Sequence, residues 1–291
     1  MLLGYITNGL DGVTPVEAID LLHAIGYRGI GFTLDQGMMN PYSADFAKQL
    51  EIANGRLHEF RMRSAVETGA RFLLNPNVKH EPTLVTADPA GRSRRVDFLC
   101  RAVDAAAALD SECVSFWSGV VRDRAGDGEA MDRLVEGLLQ VLDYADKKSV
   151  PLALEPEPGM FIDTMDRFAD LVEAIRQQGG AADHLKLTID VGHLHCQGEL
   201  PIAEKLHQWA DRLINVHLED MRRGVHEHLM FGEGEIVFPP VISALEEIRF
   251  SGIIAVELSR HAHQGPQAAR QAYNFLRPLC DAAEAGGRSS R

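Results

Sequence analysis

The sequence has few cysteines, and none of them forms a close pair with another. Cys100, Cys113, Cys196 and Cys280 are scattered along the 291 residues, so reduced thiols are expected rather than disulfides. No apolar run approaches the roughly 18 to 20 residues of a membrane span, and the N-terminus lacks a basic region followed by a signal-like apolar core. We therefore expect a cytoplasmic protein without a membrane anchor.

Positive charge is also scarce. The chain has 29 Lys and Arg residues against 42 Asp and Glu residues, which gives a net charge of −13. This balance opposes binding to a polyanion, so we expect no nucleic-acid partner. No linker rich in Gly, Pro or Ser divides the chain, and no internal repeat is present beyond an alternation of strand-like and helix-like segments.

That alternation predicts an α/β protein with a single (β/α)8 TIM barrel. The length suits one such domain, for which about 250 residues is typical. Strands are predicted, in order, at MLLGYITNG, RGIGFTLDQG, ARFLLNPN, ECVSFWSG, VPLALEPEPG, LKLTIDVGH, LINVHLED and GIIAVELSRH. We expect the barrel to span residues 1–280 and residues 281–291 to form a frayed tail.

Helices are predicted between these strands. The first begins with Thr14 as its N-cap, Pro15 at the first helical position and Glu17 at the capping-box position, and Gly26 lies near its end. Other helices are predicted over 43–68, 89–109 and 131–148. The segments 75–91 and 220–237 are long for loops of a barrel, and long loops on the functional face often cover an active site.

Four metal-ligand residues end four successive strand-like runs in the C-terminal half. They are Glu155, Asp190, His217 and Glu257. The intervals between them leave room for one helix and its loops, and a barrel brings the carboxyl ends of its strands together on one face. Three carboxylates and one imidazole favour Mn2+, Mg2+ or Co2+ and can accept Zn2+. The pattern predicts one divalent metal ion at the barrel mouth.

Such an ion indicates a particular kind of chemistry. It can bind the adjacent carbonyl and hydroxyl oxygens of a sugar and stabilise the enediolate that forms when the carbon between them loses a proton. Two of the ligand carboxylates could then act as base and acid. We therefore predict a metal-dependent isomerase or epimerase acting on a small carbohydrate or a polyol-derived ketone.

At these residues the chain resembles the xylose isomerase-like TIM-barrel superfamily, which includes sugar epimerases, inosose and 3-dehydroshikimate dehydratases, and endonuclease IV. The resemblance assigns the four strand-end residues as metal ligands. It also assigns the proton-transfer roles to Glu155 and Glu257. The segment from HEPTLVTADPAGRSRR to VSFWSG is similar to the family region between the third and fourth strands.

Six further residues are candidates for substrate binding. His193 lies just beyond Asp190, where members of the superfamily place a histidine that contacts substrate or a second metal. Arg222 or Arg223 could pair with a carboxylate or phosphate, and Trp117 could form an apolar wall of the site. The full set of candidates is His193, Glu157, Arg223, His228, Trp117 and His80.

Several functions compete for this sequence. A dehydratase of the same fold is the main alternative, because it also begins by removing a proton beside a carbonyl. A barrel that binds a metabolite without turnover, and an apurinic endonuclease, are weaker alternatives. The endonuclease is opposed by the net charge of −13 and by Trp117, which stands where that branch has a histidine ligand. The sequence also leaves room for a homo-oligomer.

Overall fold

A closed barrel of parallel strands forms the centre of the molecule. The structure is a computed structural model that describes residues 1–289, with side chains through residue 285. Its strands are β1 (Leu2–Ile6), β2 (Gly29–Thr33), β3 (Arg63–Glu67), β4 (Val114–Phe116), β5 (Leu152–Leu154), β6 (Leu185–Asp190), β7 (Leu213–Leu218), β8 (Asp220–Arg222), β9 (Val225–Leu229) and β10 (Ile253–Val256). In the barrel, β1 to β7 pair in order, and β10 closes it between β7 and β1. The predicted (β/α)8 barrel is confirmed.

Helices follow the strands around the outside of the barrel. They are α1 (Pro15–Ile25), α2 (Phe46–Phe60), α3 (Pro89–Ala108), α4 (Asp127–Lys148), α5 (Met165–Gln177), α6 (Val191–Gln197), α7 (Ile202–Gln208), α8 (Phe238–Glu247) and α9 (Gly265–Ser289). Short 3-10 turns cover Thr7–Gly9, Ala182–His184 and Ser259–Gln264. Among the helices described, none is both long enough and apolar enough to cross a bilayer.

The start of α1 confirms the predicted capping box. The hydroxyl of Thr14 accepts a hydrogen bond from the backbone N–H of Glu17 at 3.3 Å, and the Glu17 carboxylate accepts one from the backbone N–H of Thr14 at 2.8 Å. Pro15 is the first helical residue, and Gly26, with φ of 128°, ends the helix. These contacts satisfy backbone donors that the first turn would otherwise leave free.

The third strand lies earlier in the chain than the sequence suggested. Arg61 adopts a left-handed conformation with φ of 52° and ends α2, after which β3 pairs in parallel with β2. The predicted helix over 43–68 is therefore confirmed over Phe46–Phe60 but wrong beyond it, and the predicted strand ARFLLNPN is wrong. Pairing with β2 and β4 decides the structure here, because it satisfies the backbone of β3 and buries Val66 completely. As a result, Glu67 ends a barrel strand.

The C-terminal segment is helical. Helix α9 continues through residue 289 into the segment that was predicted to be a tail from residue 281, and residues 290 and 291 lie outside the described residues. The segment is rich in alanine, which has the highest helix propensity. The N-terminal ammonium of Met1 also forms an ion pair with Glu284 at 2.7 Å.

The barrel interior changes from apolar to polar toward the carboxyl ends of its strands. A buried apolar cluster occupies the interior and consists of Ile6, Ala65, Cys113, Ala153, Ile253 and Ala255. Residues two positions apart on a strand point to the same side. The inward positions that follow Ala65, Ala153 and Ala255 are therefore those of Glu67, Glu155 and Glu257. This alternation places carboxylates at the mouth of a packed barrel.

Candidate active site

The four strand-end residues converge at the barrel mouth. Glu155 follows β5, Asp190 ends β6, His217 lies in β7 and Glu257 follows β10. One potential ligand atom from each of the four lies within 4.8 Å of the others. Glu155, Asp190 and His217 are buried. The structure thus brings together the residues that the sequence pattern singled out.

Hydrogen bonds hold this quartet in place. His217 Nδ1 lies 3.2 Å from both Glu155 Oε1 and Glu257 Oε2. The side-chain amide of Asn8, which follows β1, donates to Glu257 Oε1 at 2.8 Å. The backbone N–H of His193 donates to Asp190 Oδ1 at 2.9 Å. Each carboxylate of the quartet therefore has at least one oxygen held by a neighbouring group.

The quartet is electrostatically suited to a cation. Burial raises the pKa of Glu155 to about 8. Burial also disfavours ionisation of Glu257, but the hydrogen bond with His217 and the charge of His228 outweigh it and lower the pKa of Glu257. Burial disfavours the charged form of His217 as well, whereas Glu155 and Glu67 raise the pKa of this imidazole well above its usual value. A positive charge between these carboxylates is stabilised.

Glu67 is a member of the site that the sequence analysis missed. Its Oε1 lies 3.2 Å from His217 Nε2 and accepts a hydrogen bond from the Asn215 amide at 3.2 Å. Glu67 can accept a hydrogen bond from the Nε2–H of His217, while Nδ1 faces Glu155 and Glu257. A carboxylate behind a histidine is the usual way to fix the tautomer of a metal ligand. The apolar run before Glu67 was the available signal, but the helix predicted there hid it.

Three histidines lie next to the quartet. The buried ring of His193 directs Nδ1 toward the carbonyl oxygen of Pro156 at 3.3 Å, and its Nε2 lies 3.0 Å from His226 Nε2. His228 Nδ1 lies 3.3 Å from the carbonyl oxygen of Glu257. Burial lowers the pKa of His193 to about 4, so this ring is neutral near pH 7. His193 and His228 both line the cavity above the quartet.

The cavity has a volume of about 390 Å³, within the range of small-molecule sites. His80, Trp117 and Glu157 line it, as the sequence analysis expected. The Gly69 carbonyl oxygen lies 2.7 Å from His80 Nδ1, which must therefore carry a proton, so the Nε2 of a neutral His80 can accept a hydrogen bond. Burial is the main reason that the pKa of Glu157 is raised well above its usual value.

The whole architecture matches a known family model. The model of the xylose isomerase-like TIM barrel covers residues 19–279 of this chain. The chain belongs to the xylose isomerase-like TIM-barrel family. The resemblance inferred from the strand-end residues is thereby confirmed at the level of the family.

Two relatives and one solved structure illustrate the likeness within this family. The uncharacterized protein MJ1311 of Methanocaldococcus jannaschii is 27% identical over 225 residues, which cover 69% of this chain and 75% of that protein. L-ribulose-5-phosphate 3-epimerase of Shigella flexneri is 22% identical over 259 residues, which cover 87% of this chain and 85% of the epimerase. A structure of L-ribulose 3-epimerase aligns with a TM-score of 0.78 at 16% identity and covers 100% of this chain and 98% of that one.

One candidate residue of this xylose isomerase-like barrel lies outside the cavity lining. Arg223 is absent from the cavity lining, and its guanidinium lies against Gly198, where a β-carbon would overlap it. The turn between β8 and β9 directs this side chain toward the end of α6, and contact between Arg223 and substrate stays a prediction. Lys79, Arg71 and Arg260 are the cationic residues that line the cavity.

Proposed function

We propose that this protein is a divalent-metal-dependent sugar isomerase or epimerase that transfers a proton at a carbon beside a carbonyl. The convergence of Glu155, Asp190, His217 and Glu257 within 4.8 Å carries the proposal. The similarity to L-ribulose-5-phosphate 3-epimerase and L-ribulose 3-epimerase supports this class of reaction. Both of those proteins are named as 3-epimerases of ketoses or their phosphates.

The residues of the quartet fit a divalent ion. Three carboxylates provide hard oxygen ligands, and the tautomer of His217 favoured by Glu67 provides a nitrogen lone pair on the same side. Mn2+, Mg2+ and Co2+ suit this donor set, and Zn2+ is compatible with it. When bound, the ion would supply a Lewis acid that polarises the carbonyl group of the substrate.

Glu155 and Glu257 are the proposed proton-transfer residues. Both line the cavity, and each follows a barrel strand, so each carboxylate is held by a rigid element. Epimerisation needs one group to remove a proton from carbon and another to return it from the opposite face. Asn8 and His217 fix the two oxygens of Glu257, which sets the direction from which this carboxylate reaches the substrate.

The proposed substrate is a monosaccharide, a ketose phosphate or a ketone of similar size. The cavity of about 390 Å³ accommodates such a molecule. Trp117 offers it an apolar surface, while His80, His193, Glu157 and His228 offer hydrogen-bonding groups. The four cysteines are free, which supports a cytoplasmic location for the enzyme.

Product analysis tests this function. Protein loaded with Mn2+, Mg2+ or Co2+ would be incubated with a panel of ketoses, ketose phosphates and cyclic polyol ketones. We expect conversion of at least one member to an epimer or aldose, and a loss of about 100-fold or more in Glu155→Gln or Glu257→Gln. Glu51→Gln, at an exposed position on α2, should retain the activity. Absence of turnover across the panel with all three metals would contradict the proposal.

A dehydratase is the second candidate, and Glu157 is the observation that favours it. This carboxyl group lines the cavity, and burial together with the charge of Glu155 raises its pKa. Its protonated form is therefore favoured, and that form could give its proton to a departing hydroxyl group. The same panel separates the two functions, because dehydration yields a conjugated ketone with strong ultraviolet absorbance.

A further inference from the structure

A buried arginine lies against the part of the cavity wall that Trp117 forms. Arg95, on α3, has only 1% of its surface exposed. Its Nη2 donates a hydrogen bond to the carbonyl oxygen of Thr68 at 3.3 Å, whereas its Nη1 has no hydrogen-bond partner. Burial lowers the pKa of Arg95 to about 10, so the guanidinium stays charged near neutral pH. A buried cation is costly unless neighbouring groups stabilise it.

The guanidinium of Arg95 lies over an aromatic ring. Its Cζ atom is 4.3 Å from the centroid of the Trp117 ring and 5.1 Å from that of the Phe98 ring. The face of an indole ring attracts a cation at this distance, and the attraction is stronger where water is excluded. Trp117 is itself buried and lines the cavity, whereas Arg95 does not line it. Arg95 therefore contacts the wall of the site without being able to contact the substrate.

The same arginine is connected to a second part of this wall. Thr68, which accepts its hydrogen bond, and Gly69 both line the cavity. The carbonyl oxygen of Gly69 accepts a hydrogen bond from His80 Nδ1 at 2.7 Å. The His80 ring meets the Trp117 ring edge-on, with centroids 5.1 Å apart. Arg95 thus contacts both the segment after β3 and the segment after β4, which together form one side of the cavity.

We propose that Arg95 is a positioning residue that fixes the indole ring of Trp117 in the cavity wall and thereby orients the substrate. A methionine at this position would fill much of the same space without burying a charge, but it would not attract the face of the indole ring. It also could not donate a hydrogen bond to Thr68. The effect on catalysis rests on the proposed function, whereas the fixed position of Trp117 can be measured without any substrate.

Time-resolved fluorescence tests the position of Trp117 directly. The chain has two tryptophans, so a Trp209→Phe parent protein reports on Trp117 alone. We expect the anisotropy of this parent to decay only with the tumbling of the whole protein. Arg95→Met should add a subnanosecond component, because the freed ring can move on that timescale, and Arg95→Lys, which keeps a cation, should reduce it. Arg94→Met, at the neighbouring exposed position on α3, should match the parent.

Steady-state kinetics on a converted ketose test the consequence for the reaction. A substrate that is held in a less defined orientation reacts more slowly once it is bound, so Arg95→Met should lower kcat about 10-fold or more and change KM less than about 3-fold. Arg95→Lys should recover part of kcat. In a Trp117→Leu background, Arg95→Met should have little further effect, because the two residues act through one contact. Full additivity of the two substitutions would overturn the positioning role.

The fluorescence measurement separates this inference from the proposed function. A subnanosecond component in the parent protein would overturn the inference even if Arg95→Met failed to fold. A folded Arg95→Met protein with the anisotropy decay of the parent would overturn it as well. A rapid component in Arg95→Met that is absent from Arg94→Met would support the fixed position of Trp117 even if no ketose were converted, and the lack of turnover would then count only against the proposed function.

Discussion

His217 contacts a carboxylate through each of its ring nitrogens, and this arrangement gives Glu67 a role that can be measured. Glu67→Ala should lower the affinity for Mn2+ about 10- to 100-fold, because the imidazole loses the partner that fixes its tautomer. Glu67→Gln keeps a hydrogen-bond acceptor, so its affinity for Mn2+ should lie between those of Glu67→Ala and the wild type. Titration of Mn2+ binding measures the effect. Wild-type affinity in a folded Glu67→Ala protein would show that Glu67 does not position His217.

His80 lines the cavity, and its titration should make the folding stability depend on pH. Burial lowers its pKa to about 4 in the folded protein, whereas an unfolded imidazole titrates near 6.5. As the pH falls through this window, the unfolded state binds the proton first, so folding stability is lost between about pH 6.5 and pH 4. Above about pH 7, His80 is neutral in both the folded and the unfolded state, so it causes no such loss of stability there.

A comparison of variants isolates this contribution. Between about pH 7 and pH 4 the wild-type free energy of unfolding should fall on the order of 1–3 kcal/mol more than that of His80→Gln. Urea denaturation at several pH values measures the difference. His263→Gln, at an exposed position, should follow the wild type. Parallel curves for the wild type and His80→Gln would contradict the inferred burial of a neutral imidazole.

At the scale of the elements, local sequence predicted most strands but misplaced β3. The helix α1 carries its own start and stop residues, so local chemistry was sufficient there. The stretch Ser64, Ala65 and Val66 is short, and no Gly, Pro, Asn or Asp separates it from α2. Its pairing with β2 and β4 makes it a strand. Glu67 was missed for the same reason, because a strand end cannot be recognised when the strand itself is assigned to a helix.

The β8–β9 hairpin lies in the segment 220–237, which the sequence predicted only as a long loop over the active site. It carries His226 and His228 on β9. The buried carboxylate of Asp220 fixes its base by accepting backbone hydrogen bonds from Met221, Gly232 and Ile236 at 3.0, 2.8 and 3.0 Å. One side chain therefore joins both ends of the segment that places the histidines over the cavity.

Removal of this carboxylate should loosen the whole hairpin. Asp220→Ala leaves three backbone donors without a partner, at a cost of about 3 kcal/mol or more in folding stability. We expect faster amide hydrogen exchange across residues 225–234 and lower turnover. Glu233→Gln, at an exposed position in the same segment, provides the control. Unchanged amide protection in Asp220→Ala would show that other contacts hold the hairpin.

At the scale of the whole molecule, the barrel explains why the convergence of the quartet could be predicted from sequence while several residues of the cavity lining could not. Parallel strands bring their carboxyl ends to one face, so residues at strand ends converge whatever the loops do. The cavity rim depends instead on how each loop folds. Arg223 therefore turned away from the cavity, whereas Lys79 and Arg260 line it without any spacing in the sequence to indicate this.

The distribution of negative charge over the molecule also limits the class of substrate. The net charge of the chain is −13. Several of its buried carboxylates lie together at the barrel mouth, namely Glu67, Glu155, Asp190 and Glu219. A cavity with this charge suits a neutral sugar or a small substrate bound together with a metal, and it does not suit a long polyanion. The proposed reaction is therefore proton transfer to and from a small substrate.

Solvent deuterium exchange tests that claim most directly. Metal-loaded protein would be incubated in D2O with the ketose panel, and the recovered sugars would be analysed by NMR. We predict deuterium at the carbon beside the carbonyl of at least one sugar, lost in Glu155→Gln and Glu257→Gln and retained in Glu51→Gln. A sugar that binds the metal-loaded protein at the barrel mouth yet gains no deuterium would contradict the account.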